Sequence, residues 1–403
     1  MALISVAEAR ALVLDGVKRL KAEHVALKDA RTRTLAEDLT ARRTQPPFRA
    51  SAMDGYAVIA SDTEADRATL KVIGEAPAGR AFAGEVTSGQ AVRIFTGAPV
   101  PEGADAVLIQ ENTAVLDATT IRVTEKVAKG RNIRAAGLDF NEGDALLKAG
   151  IRLDWRSLAL AASMNYPTVP VVRRPTVAIL ATGDELVAPG QPAGPDQIIA
   201  SNAFGLAAFA DEKGGVPIDL GIVPDKRDVL IQRIDDALKS EPDILITLGG
   251  ASVGDHDLVR ESLAAIGLDL GFWKVAMRPG KPLMFGQFGR TRVLGLPGNP
   301  VSSLVGATLF VGPLIGALLG NDISHEPNIE SARLGADLGA NDSRADYLRA
   351  RLERGHDGLP VATAFDVQDS SMLQRFAVCD CLILRAPFAG PVAAGDTVEI
   401  IRL

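Results

Sequence analysis

Residues 175–186 read PTVAILATGDEL. The run 177–181 is apolar without a break, as a strand covered on both faces requires. Thr182, Gly183, Asp184 and Glu185 follow it directly. The arrangement returns twice further on. Residues 244–248 lead into GGASVGDHD at 249–257, and residues 293–296 lead into PGNPVS at 297–302. Helical stretches lie between them. Ser201-Asn202 caps one that ends at Gly214-Gly215, residues 225–239 repeat Leu230, Ile234 and Leu238 one turn apart, and 255–266 make a third. A further strand is expected over 218–223. The alternation predicts an α/β domain over residues 175–322, built on a doubly wound, mixed or parallel sheet. Right-handed crossovers would gather the loops that follow the strands at its carboxyl edge.

Arg173-Arg174-Pro175 marks the boundary on the N-terminal side. Ser5 and Glu8 form a capping box, and the helix they open is predicted to reach about Lys21. Asp154 is an N-cap for a second helix to about Met164, with Leu153 and Leu158 spaced as a hydrophobic staple. Between these helices the texture changes. Short apolar runs at 57–59, 70–73 and 91–95 alternate with Gly and Pro. The expected organisation is a discontinuous helical domain, residues 1–47 plus 144–174, interrupted by an inserted β-rich domain, residues 48–143. After residue 323 the strand–helix alternation stops. Residues 347–352, 382–384 and 397–401 read as short strands of a small all-β C-terminal domain, 323–403.

The chain has 403 residues, enough for two to four domains, and its composition is 47% apolar and 23% charged. Lys plus Arg number 43 against 50 Asp plus Glu, a net charge of −7. An overall basic footprint for nucleic acid is absent, so any bound anion must be held by a local cluster. Two cysteines exclude a disulfide framework and a four-cysteine zinc site. Cys379-x-Cys381 is expected to place both thiols on one face of a strand, as packing residues. Four histidines, His24, His256, His325 and His356, are too scattered for a histidine metal site. The longest apolar stretch, residues 300–319, is interrupted by Ser and Gly and reads as a buried helix, so no membrane span is expected. The N-terminus lacks a charged-then-apolar signal pattern, so the cytoplasm is the expected location.

No dinucleotide fingerprint and no P-loop occur. The strand-end loops carry the chemistry instead. Glycines let backbone N–H groups approach a phosphate, Ser252 can add a donor, and Glu185, Asp225 and Asp257 can hold Mg²⁺ through oxygen. Each motif alone reads better as turn residues and N-caps, since Asp225 and Asp255 precede helices. Three on successive strand ends favour a phosphate-bearing ligand. Arg278-Pro279-Gly280-Lys281-Pro282 sets two cations about a rigid turn, either an oxyanion clamp or a solvated basic corner. FRASAMDGYAV at 48–58, with Asp54-Gly55, and TGAPVPEG at 96–103 are adequate turns on their own.

Together, SAMDGYAV, TGAPVPEGADAV, TGDEL, GGASVGDHD, PGKPLMFG and GLPGNPVSS occur in the order and spacing of one family. The chain resembles the molybdopterin molybdenumtransferases, the MoeA proteins, also seen as the C-terminal E domain of gephyrin. The resemblance covers nearly the whole chain. It implies a four-domain protomer in an elongated homodimer. The implied reaction inserts molybdenum from molybdate into adenylylated molybdopterin, with Mg²⁺ as the metal, and releases AMP. A molybdopterin adenylyltransferase and recipient molybdoenzymes are the implied protein partners; nucleic acid and membrane are not.

Site residues follow by motif. Asp54, Thr96 and Asp139, with Glu185, are the implied catalytic residues; in the family the inserted domain faces the sheet of the other subunit. Thr182, Gly183, Asp184, Gly249, Gly250, Ser252, Gly254, Asp257, Pro297 and Pro300 match the pterin and AMP cleft. Glu185, Asp225 and Asp257 match acids around Mg²⁺. Arg278, Lys281, Ser302, Arg349 and Ser370 match positions associated with molybdate. Three departures stand out: Leu138, where the family more often has an acidic or small residue, Ala251 in the glycine loop, and Arg278 in place of the usual lysine. Two other readings compete. A molybdopterin adenylyltransferase would share the sheet domain but leave the inserted domain unexplained. A non-catalytic pterin carrier or scaffold would not need to keep Asp54, Glu185, Asp257 and Lys281.

Overall fold

The computed structural model describes residues 3–249, 258–321 and 328–403. Its centre is a six-stranded sheet. The strands are β1 (Thr176–Thr182), β2 (Val216–Val223), β3 (Ile244–Leu248), β4 (Asp269–Trp273), β5 (Met284–Phe288) and β6 (Thr291–Leu296), in the spatial order β2-β1-β3-β6-β5-β4. The first four in that order run parallel; β5 and β4 continue it antiparallel. Residues alternate between two cores. Val177, Ile179, Ile244 and Ile246 face one, with Leu206 and Phe310, while Ala178, Leu180 and Leu245 face the other, with Leu230, Ile234 and Leu263. Alternate side chains of an unbroken apolar strand thus meet helices on opposite faces, which explains the sequence pattern. The chain turns from β1 outward to β2, then crosses back to β3. That reversal puts the topological switch point between β1 and β3.

Helix α1 (Val6–Leu14) has the expected capping box, with Ser5 and Glu8 bonded reciprocally. It ends at Leu14, well short of Lys21. The buried Arg292 guanidinium donates to Val13 O at 3.4 Å and Asp15 O at 2.6 Å, and Gly16 turns left-handed at φ +63°. Those donors take the last carbonyls and the glycine reverses the chain. Val6, Ala9 and Val13 pack into the core of the central sheet. Helix α2 (Trp155–Ser163) is capped by Asp154, which accepts from Ser157 N–H at 2.8 Å. Beside it lie two ribbons, Ala22–Ala26 with Thr168–Val172 and Leu39–Thr40 with Ala145–Leu147. Leu35, Leu39, Leu153, Met164 and Val171 form their shared core.

Between these ribbons in the chain is a six-stranded sheet with Gln90–Ile94 and Thr69–Ala76 at its middle. Helices α3 (Asn202–Glu212), α4 (Arg227–Lys239) and α5 (Leu258–Ala265) flank the central sheet. The apolar segment splits into α6 (Pro300–Gly306), a π turn over Ala307–Val311 and α7 (Gly312–Leu319). It is long and apolar enough to cross a membrane, yet it is buried in the protein core. The C-terminal sheet closes on itself, because Ala345–Glu353 pairs with both Val361–Ala364 and Cys381–Arg385. Its edge is the short strand Met277–Arg278, lent by the central domain. Cys379 precedes the strand that Cys381 opens, so the two thiols do not share a strand face. The short helix Leu373–Ala377 occupies the residues just before it and delays the strand.

Candidate active site

A cleft of about 650 Å³ opens at the switch point. Thr182 and Glu185 line it after β1, Leu248 and Gly249 after β3, and Pro297 to Pro300 after β6. Ser201 and Asn202 at the start of α3, Pro282, and Ser371 and Leu373 of the C-terminal domain complete the wall. The loops gather at the carboxyl edge as the strand order demands.

One end of the cleft is acidic. Thr182 Oγ1 donates to Asp225 Oδ1 at 2.6 Å, and Asp225 N–H donates to Asp184 Oδ1 at 3.1 Å. Asp225 therefore does not cap α4; Lys226 holds the N-cap position. Gly183 sits at φ +154°, and a Cβ there would lie 2.5 Å from the Glu185 carboxylate. Glu185 and Asp225 thus press against the same Thr182-Gly183 step. Gly249, at φ +89°, brings its backbone so close to β1 that a Cβ would lie 2.5 Å from Thr182 O. Among the described residues no three His, Cys, Asp or Glu converge on a metal position. The acids present are nonetheless all-oxygen donors, and two carboxylates with phosphate and water suit Mg²⁺. Gly250, Ser252, Gly254 and Asp257 lie outside the described residues.

The turn that leads into Pro282 and the neighbouring C-terminal domain carry cations. Lys281 O accepts from Val275 N–H and Leu283 N–H at 3.0 Å each, which fixes its backbone. Its ammonium makes no hydrogen bond or ion pair with the described residues. Gly280, at φ +106°, packs a would-be Cβ 3.5 Å from Ser302 O, so this turn lies against α6. Ser302 is buried. Arg278 behaves differently from Lys281. Its guanidinium binds Asp346 and, at 3.3 Å, Asp342, and the Asp346 carboxylate makes it hold its proton more tightly. Arg349 is buried and donates to Asp369 O at 3.1 Å; burial lowers its pKa. Ser370 Oγ accepts from Asn299 Nδ2 at 3.0 Å.

Asp54, Thr96 and Asp139 do not line this cleft, and neither do Asp225, Arg278, Lys281, Ser302, Arg349 and Ser370. Asp54 and Thr96 are nevertheless joined. Thr96 N–H and its hydroxyl both donate to Asp54 Oδ1 at 2.7 Å. Those donors, with Arg93 nearby, hold the Asp54 carboxyl below its ordinary range. Asp139 is exposed, and its N–H donates to Gln45 O at 3.0 Å.

Two wall residues escaped the sequence reading. Asn202 reads as half of a helix cap. Ser201 is the N-cap without a side-chain bond, and Asn202 Nδ2 instead donates to Gly298 O at 2.6 Å. Asn299 sits inside GLPGNP, where the flanking prolines draw the eye. Nothing local announces that its partner lies 71 residues on, in Ser370.

Fold and cleft together define a multidomain protein with a cleft at the switch point of an α/β sheet, the place where this class of fold takes its ligand. Residues 4–165 match the MoeA N-terminal region (domain I and II), 178–317 a probable molybdopterin binding domain, and 331–403 the MoeA C-terminal region (domain IV). The molybdopterin molybdenumtransferase of Haemophilus influenzae is 38% identical over 94% of this chain and 93% of its own length. That of Bacillus subtilis is 37% identical over 99% of this chain and 94% of its own. Two solved structures of a molybdopterin biosynthesis MoeA protein from Pyrococcus horikoshii superpose with TM-scores of 0.85 and 0.83, at 30% and 28% identity over the whole of this chain and 99% and 100% of theirs. The chain belongs to the MoeA family, the molybdopterin molybdenumtransferases of molybdenum cofactor biosynthesis.

Proposed function

We propose that this chain inserts molybdenum from molybdate into adenylylated molybdopterin and releases AMP. One observation carries the reading: a single cleft is lined by Thr182 and Glu185 at the β1 end, with Asp225 bonded to Thr182 behind them, and by Pro282, whose neighbour in sequence, Lys281, has no ammonium partner among the described residues. A phosphoanhydride with a metal demand fits the first, and a dianionic tetrahedral oxyanion fits the second. Mg²⁺, when bound by Glu185, Asp225 and Asp257, would neutralise the charge on the phosphoanhydride. Thr182, by its bond to Asp225, holds that carboxylate toward the cleft. Gly183, Asp184 and the glycines from Gly249 to Gly254 would let the ligand approach backbone N–H groups. Pro297 and Pro300 would stiffen the wall. The attacking oxygen comes from molybdate or water, and AMP is the leaving group. The dithiolene sulfurs belong to the pterin, so no cysteine cluster is needed.

The dimer belongs to the same reading. Asp54, Thr96 and Asp139 lie outside the cleft of their own chain, so a second copy would bring them to it. Ile198, Ile199 and Phe204 are exposed around the cleft mouth, and Phe48 and Met53 are exposed beside Asp54. These apolar rims fit a contact between copies. Residues 1–47 with 144–174, 48–143, 175–322 and 323–403 are the four domains of the protomer on this reading. The cytoplasm is the setting it assigns, in keeping with two unpaired cysteines.

Arg278 and Lys281 are the two cations proposed for molybdate. Arg278 is engaged by Asp346, which leaves Lys281 as the freer charge. Lys281→Ala is expected to raise the molybdate KM by about tenfold or more, the scale of one lost charge-assisted bond, with pterin affinity unchanged. An equal loss of both would contradict the oxyanion role.

A further inference from the structure

The loop that carries Ser370 is stiff within itself. Arg349 N–H donates to Gln368 Oε1 at 2.9 Å, and Gln368 Nε2 donates to Arg349 O and Phe365 O, each at 2.9 Å. Arg349 Nη2 reaches Asp369 O at 3.1 Å, and Ser371 donates its N–H and hydroxyl to Asp369 Oδ1 at 2.8 and 2.6 Å. These bonds fasten the loop to Arg349 in the strand Ala345–Glu353 of the C-terminal sheet.

Among the described residues, two hydrogen bonds tie that loop to the wall of the cleft. Val301 N–H donates to Ser370 O at 3.1 Å, and Asn299 Nδ2 donates to Ser370 Oγ at 3.0 Å. Both wall residues belong to the Pro297 to Pro300 turn or the first turn of α6, next to Ser302. Asn299 stands at the N-cap position of α6, where an asparagine side chain usually serves the helix. Here it makes no such bond and spends its amide on the other domain. The turn is held from behind as well, since Asn202 Nδ2 grips Gly298 O at 2.6 Å.

Resting on the molybdenum-insertion reading above, we propose that Asn299 is a positioning residue. It latches Ser370 of the C-terminal domain over the oxyanion end of the cleft and acts on molybdate only through Ser370. The β1 and β3 strand ends of the cleft make no bond to Ser370 among the described residues.

The test uses Asn299→Ala, Ser370→Ala and the double variant of the full chain. Asn299→Ala is expected to raise the molybdate KM by about fivefold, the scale of one polar hydrogen bond, and to raise it by a larger factor than it weakens binding of adenylylated molybdopterin. Amide hydrogen exchange at Val301, whose N–H donates to Ser370 O across the latch, is expected to quicken. In the Ser370→Ala background, Asn299→Ala is expected to add nothing. The latch is overturned if Asn299→Ala costs the same factor in both backgrounds, or if pterin affinity falls by as large a factor as molybdate use. If the wild type releases no AMP in response to molybdate, the functional reading fails and hydrogen exchange alone decides the latch. Unchanged exchange in Asn299→Ala then overturns it.

Discussion

Asp54 shows what a single carboxylate is arranged to do. Two donors from one residue, Thr96, converge on one oxygen and leave the other free. The same bonds depress its pKa, so it stays ionised to below the ordinary value of 3.8. Any acid limb in the pH profile of AMP release at higher pH must come from another group. Asp54→Asn is expected to keep the fold, because the site is exposed, and to cut AMP release by about a hundredfold, a typical cost for a placed catalytic group. Equal activity would remove Asp54 from the chemistry. Asp243 makes the contrasting case, a structural acid. Burial raises its pKa, but the Arg173 fork at 2.9 and 2.8 Å and Thr176 N–H at 2.7 Å more than offset this, and the net shift is downward. A depressed folded pKa means stability that is present above the unfolded value and is lost as pH falls through the folded one. Asp243→Asn is therefore expected to cost about 2 kcal/mol at neutral pH, the scale of charge-assisted bonds, and to blunt acid unfolding. A thermal melt across pH checks both.

Among the elements, the strand ends decide most. The runs at 177–181, 244–248 and 293–296 were legible because a strand buried on both faces leaves a continuous apolar trace. Two helix beginnings were equally clear, since Ser5 and Asp154 cap through local bonds. The end of α1 was not. It is set by Arg292, a residue 279 positions away from Val13, and no local signal foretells it. The site divides in the same way. Thr182 to Glu185 and Pro297 to Pro300 were readable because they follow their strands at once, whereas Asn299 and Ser370 meet only through the docking of a second domain. Gly249 tests whether the strand end is shaped for a ligand. Gly249→Ala puts a Cβ 2.5 Å from Thr182 O in a left-handed backbone. It is expected to cost about 1–3 kcal/mol of stability, the usual scale for a strained backbone, and to weaken pterin binding. A melt with a pterin titration measures both, and unaltered binding would exclude the β3 end from the pterin cleft.

For the whole molecule, the proposed reading assigns separate halves of the site to the inserted domain and to the cleft. The sequence motifs named both halves, but no spacing along one chain could say that they sit apart; only the cleft lining does. A shared site in a homodimer makes a sharp prediction. Asp54→Asn and Lys281→Ala are each expected to be nearly inactive alone. Mixed and allowed to exchange subunits, they are expected to regain activity, because one site of each mixed dimer keeps both native residues. No recovery, despite mixed dimers by mass spectrometry, would place the complete site within one chain. The most direct test of the account is AMP release from adenylylated molybdopterin with Mg²⁺, measured with and without molybdate. Release that depends on molybdate is the predicted result. Tight binding of the adenylylated pterin with no release would contradict it and leave a carrier of the pterin in place of a transferase.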